Sequence, residues 1–212
     1  MDGSVSNAAD AMAADEAGSE IELTLHRGIT SLLQTTNNFL QKDIELTRLC
    51  RLAVLLINSC VNPNASLFKK IAEKCIYTQR NDGGWADVPE TMWCASFLNS
   101  LDGYSNSIDN ALKWINSQSP NKQGWGNSSR DKARIPVTGL MLYLLPQLSS
   151  TGHLKWLESE WYKESTTEPC LSYKAAFTLM AFRKNNHLPK DEEIIPETIQ
   201  WLIGGVAISA IQ

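Results

Sequence analysis

The chain has 212 residues, which is enough for one hydrophobic core and for one domain or two small ones. Its 19 basic and 23 acidic residues give a net charge of −4, so nothing favours nucleic acid as a partner, because nucleic-acid-binding domains cluster Lys and Arg. No apolar run approaches the roughly 18 residues of a transmembrane helix, and the first residues lack the basic-then-apolar order of a secretory signal.

The first 20 residues consist mainly of Ala, Ser, Gly, Asp and Glu and contain few bulky side chains. Such a composition cannot bury enough apolar surface to offset the entropy that is lost when a chain becomes ordered. We therefore expect residues 1–22 to form a disordered or tag-like tail and residues 23–212 to form the folded domain.

Apolar side chains then recur with helical spacing. Four segments are apolar around much of their circumference: 43–60, 90–101, 135–148 and 170–182. Segment 108–115, by contrast, is apolar on one face only. Pro89 and Pro136 suit the first turns of helices. No segment has the two-residue alternation of a strand, so we predict an all-α fold in which amphipathic outer helices alternate with more apolar inner helices.

One sequence element occurs twice, about 40 residues apart. Residues 72–79 (AEKCIYTQ) align without gaps on residues 111–118 (ALKWINSQ), and each copy is followed by a polar loop that closes in Gly-Trp. The Lys-Trp pair of the second copy recurs at Lys155-Trp156, and a related Gln-Trp pair follows at 200–201. Because one hairpin cannot bury its own apolar face, we predict stacked helical hairpins over these segments: 28–61, 66–101, 107–148 and 152–184, with a further helix at 191–203.

This repeated element resembles the QW motif of triterpene cyclases. The Gln and the Gly-Trp pair of that motif are present in both copies: Gln79 with Gly84-Trp85, and Gln118 with Gly124-Trp125. The wider resemblance is to the prenyltransferase and squalene-oxidase repeat family. It extends over residues 28–205 and is strongest in 66–105 and 107–150. The resemblance implies an α/α toroid, partial or small, of about four to five helical hairpins.

The resemblance also implies roles for four residues of the motif. In that family the Gln caps helix ends, while the Trp stacks on it and joins neighbouring repeats. By resemblance, Gln79, Trp85, Gln118 and Trp125 are therefore structural residues. A loop Trp buries a large area and needs a partner for its N–H, which agrees with such a role.

The catalytic signatures of the family are not found in the sequence. There is no Asp-x-Asp-Asp motif of class II cyclases, no Asp-Asp-x-x-Asp motif of class I synthases and no clear set of zinc ligands. The three histidines, His26, His153 and His187, fall at the edges of elements, and we expect His153 at the surface because it follows Gly152 at a turn. We therefore predict neither a metal nor a cofactor, and whether the protein is an enzyme stays open.

Asp87 and Glu90 are the candidate catalytic acids, because in a toroid the N-termini of the inner helices ring one mouth of the cavity. A carboxylic acid in such a mouth could protonate an alkene and so start a cyclisation. The alternative is that both are water-exposed acids of a first helical turn, which interact favourably with the helix dipole.

Two further groups are candidate ligand-binding residues. Arg130 and Arg134 could clamp an anionic group such as a diphosphate or a peptide carboxylate, or they could pair with neighbouring acids. Aromatic residues of the inner helices could stabilise a carbocation by cation–π attraction, or they could be ordinary core. These aromatic residues are Trp93, Phe97, Tyr143, Tyr173 and Phe177.

The five cysteines are an odd number and form no Cys-x-x-Cys pair, and several of them fall in apolar runs: Cys50, Cys60, Cys75, Cys94 and Cys170. This pattern favours mostly buried thiols in a reducing compartment. We therefore expect a cytoplasmic protein.

Two functions stay open. The first is a terpenoid-cyclase- or prenyltransferase-like repeat protein that binds an extended apolar ligand, an isoprenoid or a peptide, in a central concave cavity. Its chemistry, if it is an enzyme, would be acid-initiated cyclisation. The second is a non-catalytic helical-repeat subunit that serves binding in a biosynthetic or regulatory complex. An open array of repeats leaves an apolar edge, so the sequence also predicts a protein partner or a homo-oligomer.

Overall fold

The computed structural model describes residues 5–42, 45–119, 123–165, 171–191 and 193–209, with side chains from residue 20 onward except those of 201 and 204–209. Within these ranges all regular structure is helical and no strand is present, which confirms the all-α prediction. Cys170, one of the cysteines singled out in the sequence, and the side chain of Trp201 lie outside the described part of the chain.

The helices of the described ranges are α1 (Val5–Gln41), α2 (Leu46–Asn58), α3 (Ser66–Thr78), α4 (Val88–Asn99), α5 (Ser105–Ser117), α6 (Ile135–Leu144), α7 (Thr151–Ser165), α8 (Ser172–Lys184) and α9 (Ile194–Ser209). A short 3₁₀ turn, Pro146–Leu148, follows α6. Pro89 and Pro136 lie in the first turns of α4 and α6, as predicted from the missing N–H of proline. No helix of the described residues is long and apolar enough to cross a membrane.

The chain divides into two compact units, residues 1–71 and 72–212. In the first unit, α1 packs against α2, whose buried residues include Leu49, Ala53 and Leu56. The backbone of α1 is helical from Val5, through most of the segment that we expected to be a tail. All side chains from residue 20 to residue 28 are exposed, so this part of α1 is helical without a packed face.

In the second unit, α4, α6 and α8 form a row in which each helix packs on the next. α5 packs on α4, α7 packs on both α6 and α8, and α9 packs on α8. The α6–α8 contact is especially close at Gly139, where an added Cβ would lie 2.9 Å from the carbonyl oxygen of Phe177. Asn185 then joins the end of α8 to α6, because its Nδ2 donates to the carbonyl oxygen of Leu142 at 3.0 Å.

Candidate functional site

The first Gly-Trp loop is fixed by its tryptophan at both ends. Trp85 is buried, and its indole Nε1 donates a hydrogen bond to the carbonyl oxygen of Cys75 at 3.0 Å. The backbone N–H of Trp85 donates to Oγ1 of Thr91 at 2.9 Å. The indole therefore binds the loop to the end of α3, and the main chain binds it to the first turn of α4.

The second Gly-Trp loop repeats both contacts. The indole Nε1 of buried Trp125 donates to the carbonyl oxygen of Ile115 at 2.9 Å, and its backbone N–H donates to Oγ1 of Thr138 at 2.8 Å. Thr138 in α6 is fully buried, as is Thr91, its counterpart in α4. Because the two loops differ in length and still make the same two hydrogen bonds, the sequence repeat is also a repeat of structure.

The glycine before each loop tryptophan lies against a tryptophan of a later helix. An added Cβ on Gly84 would lie 2.5 Å from the indole of Trp114 on α5, and one on Gly124 would lie 2.8 Å from the indole of Trp156 on α7. This explains why Lys-Trp recurs in the sequence. Each such Trp covers the Gly-Trp loop that precedes its helix, and only glycine leaves room for it.

The two glutamines of the repeat behave differently. Nε2 of Gln79 donates to the carbonyl oxygens of Gly83 at 2.8 Å and Ser107 at 2.9 Å, while its Oε1 accepts from the hydroxyl of Ser107 at 2.6 Å. Gln79 thus ties its own loop to the first turn of α5. Among the contacts that the structure describes, the side chain of Gln118 donates from Nε2 only to the hydroxyl of its neighbour Ser117, at 2.9 Å.

Asp87 and Glu90, the candidate catalytic acids, cap the first turn of α4. Asp87 is exposed, and its Oδ1 accepts a hydrogen bond from the backbone N–H of Glu90 at 2.8 Å. Oε1 of half-buried Glu90 accepts from the backbone N–H of Ala86 at 3.2 Å. Both carboxylates therefore accept hydrogen bonds from backbone donors at the helix start.

The candidate ligand-binding residues are spread over several environments. Phe97 is fully buried in α4, whereas Trp93 and Tyr143 are half-buried. Tyr173 and Phe177 touch on α8 in an edge-to-face arrangement, with ring centroids 6.3 Å apart.

The two candidate arginines lie at the surface. The side chains of Arg130 and Arg134 are both exposed, and the backbone N–H of Arg134 donates to the carbonyl oxygen of Trp125 at 2.9 Å. This hydrogen bond joins the backbone of Arg134 to the second Gly-Trp loop.

His153 is a buried residue, so the expectation of a surface position was wrong. Its ring lies 4.2 Å from that of Trp125 between centroids. Nε2 is 3.1 Å from the hydroxyl of Ser119, and Nδ1 is 3.2 Å from the carbonyl oxygen of Leu148. These partners satisfy the imidazole inside the core. Both partners lie outside the repeated element, so the sequence pattern could not identify them.

A groove of about 490 Å³ opens between α8 and α9. No sequence pattern predicted this groove. Its lining is mostly apolar: Leu179, Phe182, Arg183, Asn186, His187, Leu188, Ile195 and Ile199. Leu188 is 86% exposed and Ile199 is 44% exposed. One turn further along α9, Ile203 is 67% exposed, so the apolar surface continues beyond the groove.

The loop that carries Leu188 is held on both sides of that residue. Nε2 of His187 and Oε2 of Glu158 are 2.8 Å apart, and the backbone N–H of Lys190 donates to Oε1 of the same carboxylate at 2.8 Å. The backbone N–H of His187 donates to the carbonyl oxygen of Phe182 at 2.9 Å. These hydrogen bonds hold Leu188 at the surface, beside the groove.

Comparison of the chain with protein-family models, with curated proteins and with solved structures finds no match in any of the three.

Proposed function

We propose that this protein is a non-catalytic helical-repeat binding subunit, and that the groove between α8 and α9 binds an α-helical segment of a protein partner. The observation that carries the proposal is the exposure of Leu188 and Ile199 in the lining of the groove, and of Ile203 one turn beyond it. Large apolar side chains at such an edge are stabilised when a partner covers them.

The shape of the groove supports a helix as its occupant. Ile195, Ile199 and Ile203 are spaced four residues apart, so they form one stripe along α9. At a rise of about 1.5 Å per residue this stripe is about 12 Å long, which matches roughly two turns of a second helix. An amphipathic helix laid into an apolar groove is a common mode of peptide recognition.

The chemistry at α4 also supports a binding role. A proton donor for an alkene has to lie in a dry cavity, whereas Asp87 is exposed to water. The carboxylates of both Asp87 and Glu90 accept backbone hydrogen bonds of the same helix start. Their positions are accounted for by the stability of α4 without any reaction.

A binding titration tests the proposal. The probe is a fluorescein-labelled designed helical peptide with Leu at positions i, i+4 and i+7 and with Glu beside them. Leu188→Ser and Ile199→Ser each remove apolar area that the peptide would cover, worth about 1.5–3 kcal/mol for a fully buried side chain. We expect each to weaken binding by about tenfold or more.

The matched control is Ile76→Ser on α3, because Ile76 is 40% exposed, close to the 44% of Ile199, and does not line the groove. We expect it to bind the peptide like the wild type. Absence of saturable binding, or an equal loss in all three variants, would contradict the proposal.

The family resemblance suggests a second candidate function, that of an isoprenoid-binding repeat protein. The observation that favours it is that the tryptophans of both Gly-Trp loops make the same indole hydrogen bond, which agrees with the sequence repeat behind the resemblance. If catalysis occurs, Asp87→Asn and Glu90→Gln should abolish turnover of an isoprenoid diphosphate and leave its binding intact. Unchanged turnover in both variants would exclude these acids as the proton donors.

A further inference from the structure

We infer that the helix which occupies the α8–α9 groove is the exposed part of α1, residues 20–28 (the arm), from a second copy of the chain. The inference rests on the proposed function, since it names the partner of the same groove. It is carried by the match in apolar spacing and in charge between these two surfaces.

Residues 20–28 of α1 form a helix whose side chains are all exposed. Ile21 is 69% exposed and Leu25 is 59% exposed, and their spacing places them on one face of the helix. Glu20 precedes and Glu22 follows Ile21 by one residue, so they project about 100° to either side of it. This segment therefore has a narrow apolar face with an acidic residue on each side. The exposed Arg27 projects on the same side as Glu20, so the Glu22 side is the more acidic.

The groove has the complementary charge on its α8 side. α8 ends with Arg183 and Lys184 in its last turn, both are exposed, and Arg183 lines the groove. The carbonyl end of a helix carries only about half a negative charge, which two cations outweigh. On α9, the acid Glu197 is two residues from Ile199 and so projects from the opposite side of that helix.

The two surfaces also agree in spacing. Ile21 and Leu25 are four residues apart, as are Ile195 and Ile199 on α9, so one turn of the arm can lie beside one turn of α9. Because Arg27 projects on the Glu20 side, the charges match best when the Glu22 side faces Arg183 and Lys184. A reciprocal exchange of arms closes a dimer with two identical contacts.

Sedimentation velocity over a wide concentration range, together with charge-reversed variants, tests the inference. We expect the wild-type chain to dimerise. Glu20→Lys with Glu22→Lys, or Arg183→Glu with Lys184→Glu, should each weaken the dimer by about tenfold, because attraction becomes repulsion. Combining all four substitutions should restore it. Glu73→Lys, at an exposed site of α3, is the control and should leave the dimer unchanged.

The labelled peptide separates failure of the inference from failure of the proposed function. A wild-type chain that stays monomeric but binds the peptide through Leu188 overturns the inference and leaves the groove as a site for a different protein. A chain that neither dimerises nor binds the peptide overturns both. A dimer that charge reversal does not weaken, or that the fourfold variant does not restore, shows that the copies associate elsewhere and also overturns the inference.

Discussion

Removal of the one helix hydroxyl that holds each Gly-Trp loop should destabilise the second unit by equal amounts. Oγ1 of Thr91 accepts the backbone N–H of Trp85 at 2.9 Å, and Oγ1 of Thr138 accepts that of Trp125 at 2.8 Å. Both threonines are fully buried, so a change to valine keeps the volume but leaves a buried N–H without its acceptor. Such a loss costs about 1–3 kcal/mol.

The control for this pair is Thr178→Val on α8. Thr178 is also fully buried, but its hydroxyl only donates to the carbonyl oxygen of Lys174 within its own helix, at 2.9 Å. That carbonyl keeps its bond in the helix, so the change should cost a few tenths of a kcal/mol.

Urea unfolding followed by tryptophan fluorescence measures all three variants. All seven tryptophans fall within residues 72–212, so the signal reports on the second unit alone. A free-energy loss for Thr91→Val or Thr138→Val as small as that for Thr178→Val would refute the claim that these hydrogen bonds hold the loops. A loss for only one of the two would refute the equivalence of the repeats.

Four further substitutions probe the fold by the same unfolding assay. Gly139→Ala should cost about 1–3 kcal/mol, because the new methyl group meets the backbone of Phe177 at 2.9 Å; an unchanged midpoint would contradict the close α6–α8 contact. Gly124→Ala should cost clearly more stability than Gly103→Ala, since φ is +92° at both positions but only Gly124 is crowded by neighbouring atoms. Equal losses would mean that backbone strain alone sets the cost of both substitutions. Asp87→Ala should cost about 1 kcal/mol through loss of the α4 cap, and a neutral result would show that the cap is dispensable.

The sequence was sufficient for the helical class and for the repeated loops, because both depend on local signals. Apolar spacing reports which face of a helix is buried, and Pro89 and Pro136 mark first turns through the missing N–H. The Gly-Trp pairs marked both loops, since a glycine in front of a buried tryptophan indicates a close approach.

Other features could not be read from local patterns. The composition of the first residues argues against packing, but Ala, Met and Glu also have high helix propensity, and α1 begins at Val5. Burial of His153 depends on Ser119 and Leu148, which only the fold brings to its ring. The α8–α9 groove could not be predicted either, because Ile195 and Ile199 belong to an apolar run whose pattern does not indicate which side faces α8.

Amide hydrogen exchange in the presence and absence of the labelled designed peptide tests most directly whether the groove is a binding site. We predict that the peptide slows exchange in residues 179–188 and 195–203, and leaves α3 and α5 unchanged. Unchanged exchange in these two segments, or slowing confined to the loops around Trp85 and Trp125, would contradict the account.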